Sequence, residues 1–211
     1  EVDRLGIGVV PPCVNRSGAT FTVRDGRIVY ALGALKNVGV EAMRLITTAR
    51  DTGGPFSGLF DFAARVDLRR IGKRAMEKLA CAGALDGLDS NRRKVLESIE
   101  ALVAYSAAAH EERASAQVSL FGDATGALPA PRLPRPEDWS PVERLGQEHA
   151  AIGFYLSGHP LDDYRGALRR LGIYPEEEEK PLVMRPGPEA EARVEGLLAE
   201  KYIYREGKEL V

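Results

Sequence analysis

A mainly α-helical chain with a small β-hairpin near its N-terminus is the fold class that this sequence predicts. Three observations predict it. β-type alternation is confined to roughly the first thirty residues, apolar stripes of helical period follow from residue 32, and a Pro/Gly-rich break separates two helical regions between 111 and 139. The 211 residues are 44% hydrophobic and 28% charged, the mixture of a globular chain with room for a core. No apolar run approaches the ~18 residues of a membrane span, and Glu1-Val2-Asp3-Arg4 lacks the basic-then-apolar opening of a signal peptide. A first residue other than Met is what a piece of a longer chain would show. Cys13 and Cys81 form no CxxC pair, which excludes a disulfide framework or zinc finger as organising principle and points to a reducing, cytoplasmic setting.

Each element has a local reason. The apolar run Ile7–Val10 is ended by Pro11-Pro12, since proline has no N–H for a ladder. Phe21 and Val23 alternate with Thr22, Ile28-Val29-Tyr30 follows, and Asp25-Gly26 between them is a hairpin turn signal. Ala42, Leu45, Ile46 and Ala49 form the stripe of a first long helix, closed by Gly53-Gly54-Pro55. Ser57 is the expected cap of a short helix carrying Leu59, Phe60, Ala63 and Ala64. Ile71, Ala75 and Leu79 with Met76 and Ala80 make another, closed by Gly83. A longer helix is expected from about Arg92, with Ser90 or Asn91 as cap and Val95, Leu96, Ile99, Leu102 and Val103 inward. After the linker, Ser140-Pro141-Val142-Glu143 reads as a capping box with proline at the first helical position. That helix is expected to reach Leu156, and a shorter one to span Leu161 to Leu171. The tail is acidic at Glu176–Glu179 and turns β-like near Ala192–Leu198 and Tyr202–Tyr204.

Charge is informative only when divided. The net charge is −2, yet residues 65–94 hold nine cationic side chains against four anionic ones inside an otherwise neutral or acidic chain. No HExxH, GxxxxGK[ST] or GxGxxG occurs, and His110, His149 and His159 share no metal-ligand spacing. Asp61 and Asp67 flank a helical stretch and read as helix-end charges rather than a two-metal site. No catalytic site and no metal site is expected within these residues.

Three stretches remain as candidate sites. Leu32 to Ala42 reads as a helical turn, a tight turn at Asn37-Val38-Gly39 and a second helix, which aims helix N-terminal amides outward at an anion. Gly39 permits close approach, Asn37 suits a left-handed turn, and Lys36 adds charge. This is a helix-hairpin-helix pattern, with a purely structural turn as its alternative. The basic block, centred on Arg69, Arg70, Lys73 and Arg74, places Arg70, Arg74 and Lys78 on one face of a helix that begins by Arg70, suited to phosphate contacts without sequence readout. Gln117-Val118-Ser119-Leu120-Phe121 sets two apolar anchors in a polar stretch, the composition of a docking peptide. Folding of Leu120 and Phe121 onto this chain's own core is the alternative.

In order, these pieces resemble the bacterial replicative DNA polymerase III alpha subunits, C-family polymerases, in the region after the fingers. Leu5-Gly6-Ile7 through Pro11-Pro12-Cys13-Val14-Asn15 is similar to LGI…PPDVN, with Cys13 where Asp is usual. Tyr30 to Gly39 is similar to the YGLxAIKGVG hairpin, with Asn37 in place of its first glycine. Gly54-Pro55-Phe56, Asp67-Leu68-Arg69-Arg70 and Ala82-Gly83-Ala84-Leu85-Asp86 follow, then Gln117 to Gly122, then Gly153-Phe154-Tyr155-Leu156-Ser157-Gly158-His159-Pro160-Leu161. The resemblance implies five parts: a β-hairpin segment (1–31), a tandem helix-hairpin-helix DNA-binding region (32–110), a flexible linker with the clamp-binding motif (111–139), a helical connector (140–173), and an acidic linker with the first strands of an OB-fold (174–211). It implies a non-catalytic segment of a Mg²⁺-dependent DNA-directed DNA polymerase (a nucleotidyltransferase) in chromosomal replication, needing no cofactor of its own. Expected partners are the duplex DNA backbone, the sliding clamp (beta subunit) and other replicative holoenzyme subunits, with no membrane. A stand-alone helix-hairpin-helix DNA-binding or scaffold protein is the alternative.

Overall fold

The computed structural model describes residues 7–118, 128–158, 160 and 170. Among them are strands β1 (Val9–Val10), β2 (Thr22–Arg24) and β3 (Arg27–Val29), then helices α1 (Val40–Gly53), α2 (Leu59–Arg65), α3 (Leu68–Ile71), α4 (Lys73–Cys81), α5 (Arg92–Glu97), α6 (Ile99–Val118) and α7 (Pro141–Ile152). The fold is mainly helical with one small sheet, as the sequence predicts. Apart from Arg170, the expected helix at Leu161–Leu171 lies outside the described residues, as do the acidic tail and the OB-fold strands.

The sheet has the order β1-β3-β2, with β1 parallel and β2 antiparallel to β3. Asp25 (φ 53°) and Gly26 (φ 67°) both lie in the left-handed region, the turn whose twist matches a two-residue hairpin. The core runs through Val14, Leu32, Met43, Ile46, Phe62, Leu68, Met76, Leu79, Leu85, Ile99, Leu102 and Ile152. Within it α2 and α3 pack on α6, while α4 packs on α5 and α7. Met43, absent from the sequence-derived stripe, is fully buried, whereas Ala42 and Leu45 flank it half-buried.

Several boundaries differ from expectation for local reasons. Ser57 does not cap α2; its N–H donates to Asp61 Oδ2 at 2.9 Å, so the carboxylate serves the helix start. The helix expected from Arg92 divides at Ser98, whose buried hydroxyl donates to the Lys94 carbonyl at 2.6 Å, a back-bond that bends helices. Asn91 is the cap of α5, accepting from the Lys94 N–H at 2.8 Å. Helix α6 runs to Val118, so residues 111–118 are helical rather than linker; the alanine-rich stretch sustains the helix without a strong apolar stripe. The Ser140–Glu143 capping box forms as expected. Helix α7 ends at Ile152 rather than Leu156, because Gly153 turns left-handed (φ 110°) and donates to the His149 carbonyl.

Distant segments are joined by side chains that satisfy backbone groups. Asn15 donates to the Phe56 carbonyl and accepts from the Phe56 N–H, at 2.9 and 2.8 Å. The Val14 N–H donates to the Ala84 carbonyl. Arg65 caps the end of α1, donating to the Ala49 and Gly54 carbonyls, while its guanidinium lies over the Phe56 ring.

The largest such junction surrounds Arg92, whose side chain is 9% exposed. It donates to Asp86 Oδ1 and Oδ2 at 2.9 and 2.8 Å and to the Cys81 carbonyl, and it faces Glu148 of α7 at 3.5 Å. Glu148, 2% exposed, accepts from the Leu156 and Ser157 N–H groups at 2.7 and 2.8 Å. Burial opposes the charge on Arg92, but the Asp86 and Glu148 carboxylates outweigh it and raise the guanidinium pKa. Removing Glu148 leaves the Leu156 and Ser157 amides without their acceptor and takes one of two carboxylates from the buried guanidinium. Glu148→Ala is therefore expected to cost about 3 kcal/mol of unfolding free energy, against about 1 kcal/mol for Ser140→Ala at the capping box. Urea titrations of the two variants compare these losses; a cost for Glu148→Ala no larger than that for Ser140→Ala would contradict the role given to the network.

Candidate nucleic-acid interface

The first hairpin follows β3 directly. Leu32–Ala34 form a single 3₁₀ turn, with Leu32 buried and the Gly33 N–H bonded to the Ala19 carbonyl. A side chain at residue 33 would collide with that carbonyl and with Val40, so only glycine lets the turn sit against the start of α1. Leu35 and Val38 point into the core, while Lys36, Asn37 and Gly39 are exposed. Asn37 has φ 60°, the left-handed turn its side chain tolerates. Val38 was expected at the interface; its side chain is 9% exposed, leaving only its backbone for that role.

Helix α1 then begins without a side-chain cap. Gly39 is its N-cap, and the first helical bond runs from the Met43 N–H to the Gly39 carbonyl. The Val40, Glu41 and Ala42 amides are left with no acceptor among the described residues, at the positive end of a 14-residue helix. Open space surrounds Gly39: an added Cβ would meet nothing within 4 Å. Glu41 is the one acidic group in this first turn, and it is paired with Arg44 at 2.6 Å.

A second start of the same kind was missed in the sequence. The basic block is not one helix, because α3 stops at Gly72 (φ 84°) and α4 begins with that glycine as its N-cap, again without a side-chain cap. Arg70 thus lies on α3, and Arg74 and Lys78 on α4, so the single continuous face expected for them does not exist. The Lys73, Arg74 and Ala75 amides are the unbonded ones here, since the first bond is from the Met76 N–H to the Gly72 carbonyl. Ile71-Gly72 repeats Val38-Gly39, and that dipeptide before a helix was the available signal.

The cations divide into two groups. Arg70 and Arg74 are exposed and pair with no other described residue. Arg69 bonds Asp67 at 3.1 Å and Glu111 at 3.0 Å, and Lys73 bonds Glu100 at 2.5 Å. The Arg69 hydrogen bond holds the Asp67 carboxyl below its ordinary value, and Lys73 does the same to Glu100. Exposed pairs of this kind are worth about 0–1 kcal/mol, so a phosphate can displace them cheaply. The rest of the block is engaged elsewhere: Arg65 and Arg92 are committed as described, Lys94 pairs with Asp89, Lys78 donates to the Ala150 carbonyl, and Arg93 makes an exposed pair with Glu97. Asp61 and Asp67 hold the starts of α2 and α3.

The backbone of Gln117 and Val118 closes α6, and Ser119, Leu120 and Phe121 lie outside the described residues. No described helix is long and apolar enough to cross a membrane.

Residues 6–95, which hold both of these glycine-led helix starts, match the helix-hairpin-helix motif family. The whole chain is more specific than that. It is 48% identical over 170 residues to the DNA polymerase III subunit alpha of Caulobacter vibrioides, covering 81% of this chain and 15% of that protein. It is 39% identical over 173 residues to the Vibrio cholerae protein of that name, with the same coverage, and 37% identical over 196 residues to that of Thermus aquaticus, covering 93% of this chain and 16% of the relative. Over most of its length the chain matches a segment of DNA polymerase III alpha subunits, about one seventh of the length of these relatives.

The two kinds of glycine in this region respond differently to substitution. Gly39→Val places its side chain in open space at an ordinary φ of −78° and is expected to cost no more than about 1 kcal/mol, the difference between glycine and a poor N-cap residue. Gly83→Ala forces a side chain into φ 76° and against the Arg92 guanidinium, with an expected loss of roughly 2–3 kcal/mol. Circular dichroism melting of both variants checks the contrast.

Proposed function

We propose that this segment is a non-catalytic part of a DNA-directed DNA polymerase in chromosomal replication, gripping the duplex backbone and tethering the enzyme to its sliding clamp. The observation that carries the reading is the pair of uncapped, exposed helix starts after Gly39 and Gly72, beside Lys36, Asn37, Arg70 and Arg74. Amides and a helix dipole hold a phosphate without reading bases, which is what an enzyme moving along any sequence needs. Arg69 and Lys73 join when phosphate replaces their exposed partners Glu111 and Glu100. The Mg²⁺-dependent nucleotidyl transfer belongs, in this reading, to other parts of the parent polymerase, which works in the cytoplasm with the remaining holoenzyme subunits.

The docking peptide Gln117–Phe121 supplies the tether. A short flexible link gives a local concentration of ~mM, so the DNA grip can stay weak and the enzyme still remain in place. The first two residues of the peptide, Gln117 and Val118, are the last of α6, which ties the clamp to the helix that packs on α2 and α3.

Fluorescence anisotropy on two unrelated duplexes across a salt titration tests the grip. Affinity near the ~10⁻⁴–10⁻⁶ M of non-specific binding is expected for both. Arg70→Ala with Arg74→Ala should weaken both equally and reduce the log–log salt slope by about 0.9 for each phosphate no longer neutralised. Gly39→Val should weaken both without altering charge; a folded variant with wild-type affinity would make the hairpin a structural turn only.

For the tether, Leu120→Ala with Phe121→Ala should cost ~2–4 kcal/mol of clamp binding by calorimetry. An unchanged clamp affinity with a collapsed melting temperature would make the pair core.

A further inference from the structure

The corner that follows α7 is joined to the first hairpin, and it carries the largest exposed aromatic surface of the described residues. The Lys36 N–H donates to the Ala151 carbonyl at 2.9 Å. The Lys36 side chain lies across Gly153, so that an added Cβ there would come within 3.2 Å of Nζ and closer still to Cε. Immediately after Gly153, Phe154 is 48% and Tyr155 41% exposed. Phe154 is held by an edge contact to Tyr30, 6.0 Å between centroids, at the foot of the same hairpin. His149 stacks on Tyr155 at 4.8 Å.

A helix C-terminus ordinarily repels an anion. Here two of the last carbonyls of α7 are taken by the hairpin and its neighbour, Ala151 by the Lys36 N–H and Ala150 by Lys78 Nζ. Lys36 and Lys78 place two cations over that negative end, and the half-exposed ring stands beside them.

We propose that Phe154 is part of the DNA interface, lying against the apolar sugar faces of the strand whose phosphate the Lys36–Gly39 hairpin holds. The inference rests on the reading of the hairpin as a phosphate grip. Duplex DNA is the occupant because the patch is continuous with the hairpin through Lys36, is cationic where a phosphate would pass, and is apolar where a deoxyribose would. Sugar contact is sequence-blind, so it adds affinity without adding specificity.

The test is anisotropy of the full chain on two unrelated duplexes across a salt titration, with Phe154→Ala and Phe154→Leu beside Arg70→Ala with Arg74→Ala. Phe154→Ala is expected to weaken both duplexes about five-fold with an unchanged salt slope, because an apolar contact releases no counterion. Phe154→Leu should retain most of the affinity, and the arginine variant should lower the slope. A folded Phe154→Ala protein with wild-type affinity, next to a weakened arginine variant, overturns the proposal and leaves the phosphate grip standing. Wild-type affinity in both overturns the grip as well. If removing the ring that packs on Tyr30 unfolds Phe154→Ala, a benzophenone side chain at position 154 decides instead: photocrosslinking to duplex supports the contact, and none, with affinity retained, contradicts it.

Discussion

Burial of the Arg92 guanidinium is the constraint on which the C-terminal half of the described chain depends. A charge in that position is tolerable only if every donor finds an acceptor, and the acceptors come from separate places. Asp86 comes from the turn after α4, the Cys81 carbonyl from the end of α4, and Glu148 from α7, beyond the linker. Glu148 in turn needs the Leu156 and Ser157 amides, which fixes the course of the chain after Gly153. Gly83 is the geometric counterpart, since any side chain there would occupy the space of the guanidinium. Docking of α7 then brings its last carbonyls to the Lys36 N–H and Lys78, and so supports the hairpin from behind.

The helix starts themselves show the opposite economy. α3, α5 and α7 are capped by the side chains of Asp67, Asn91 and Ser140, whereas α1, α2 and α4 begin at glycines without a side-chain cap, and of these α2 already has the Asp61 carboxylate at its start. A side-chain cap is worth only about a few tenths of a kcal/mol over glycine, so leaving the starts of α1 and α4 open costs little stability. What it leaves exposed is a set of aimed amides, flanked by two arginines with no described partner and two more cations in exchangeable pairs. A grip of this kind is weak by nature, and the clamp tether proposed above removes any need for it to be strong.

Much of this was legible in the sequence, and the failures have physical causes. Asp25-Gly26, Asn37-Val38-Gly39 and Ser140–Glu143 act through local backbone chemistry, and each forms as its residues demand. The fragments that carry the resemblance are less opaque once folded: Asn15 meets Phe56, Val14 meets Ala84, and Asp86 meets Arg92. Those long-range pairings left no periodic trace. The basic block misled because charge counts do not say which cations face inward, and Arg65 and Arg92 were taken by the core. Gly72 misled because an uninterrupted apolar stripe continues across it, although a left-handed residue breaks the helix. Ser98 did the same through one hydroxyl. Helix α6 outran its expected end because alanine sustains a helix that has no strong stripe to announce it.

The central claim is that the open amides at the starts of α1 and α4 receive DNA phosphate. Amide hydrogen exchange of the chain with and without duplex DNA reads those groups directly. The account predicts slowed exchange at Val40–Ala42 and Lys73–Ala75 on adding duplex, while the starts of α5 and α7 stay unchanged. Unaltered exchange at both open starts under saturating duplex, with protection elsewhere, would contradict it.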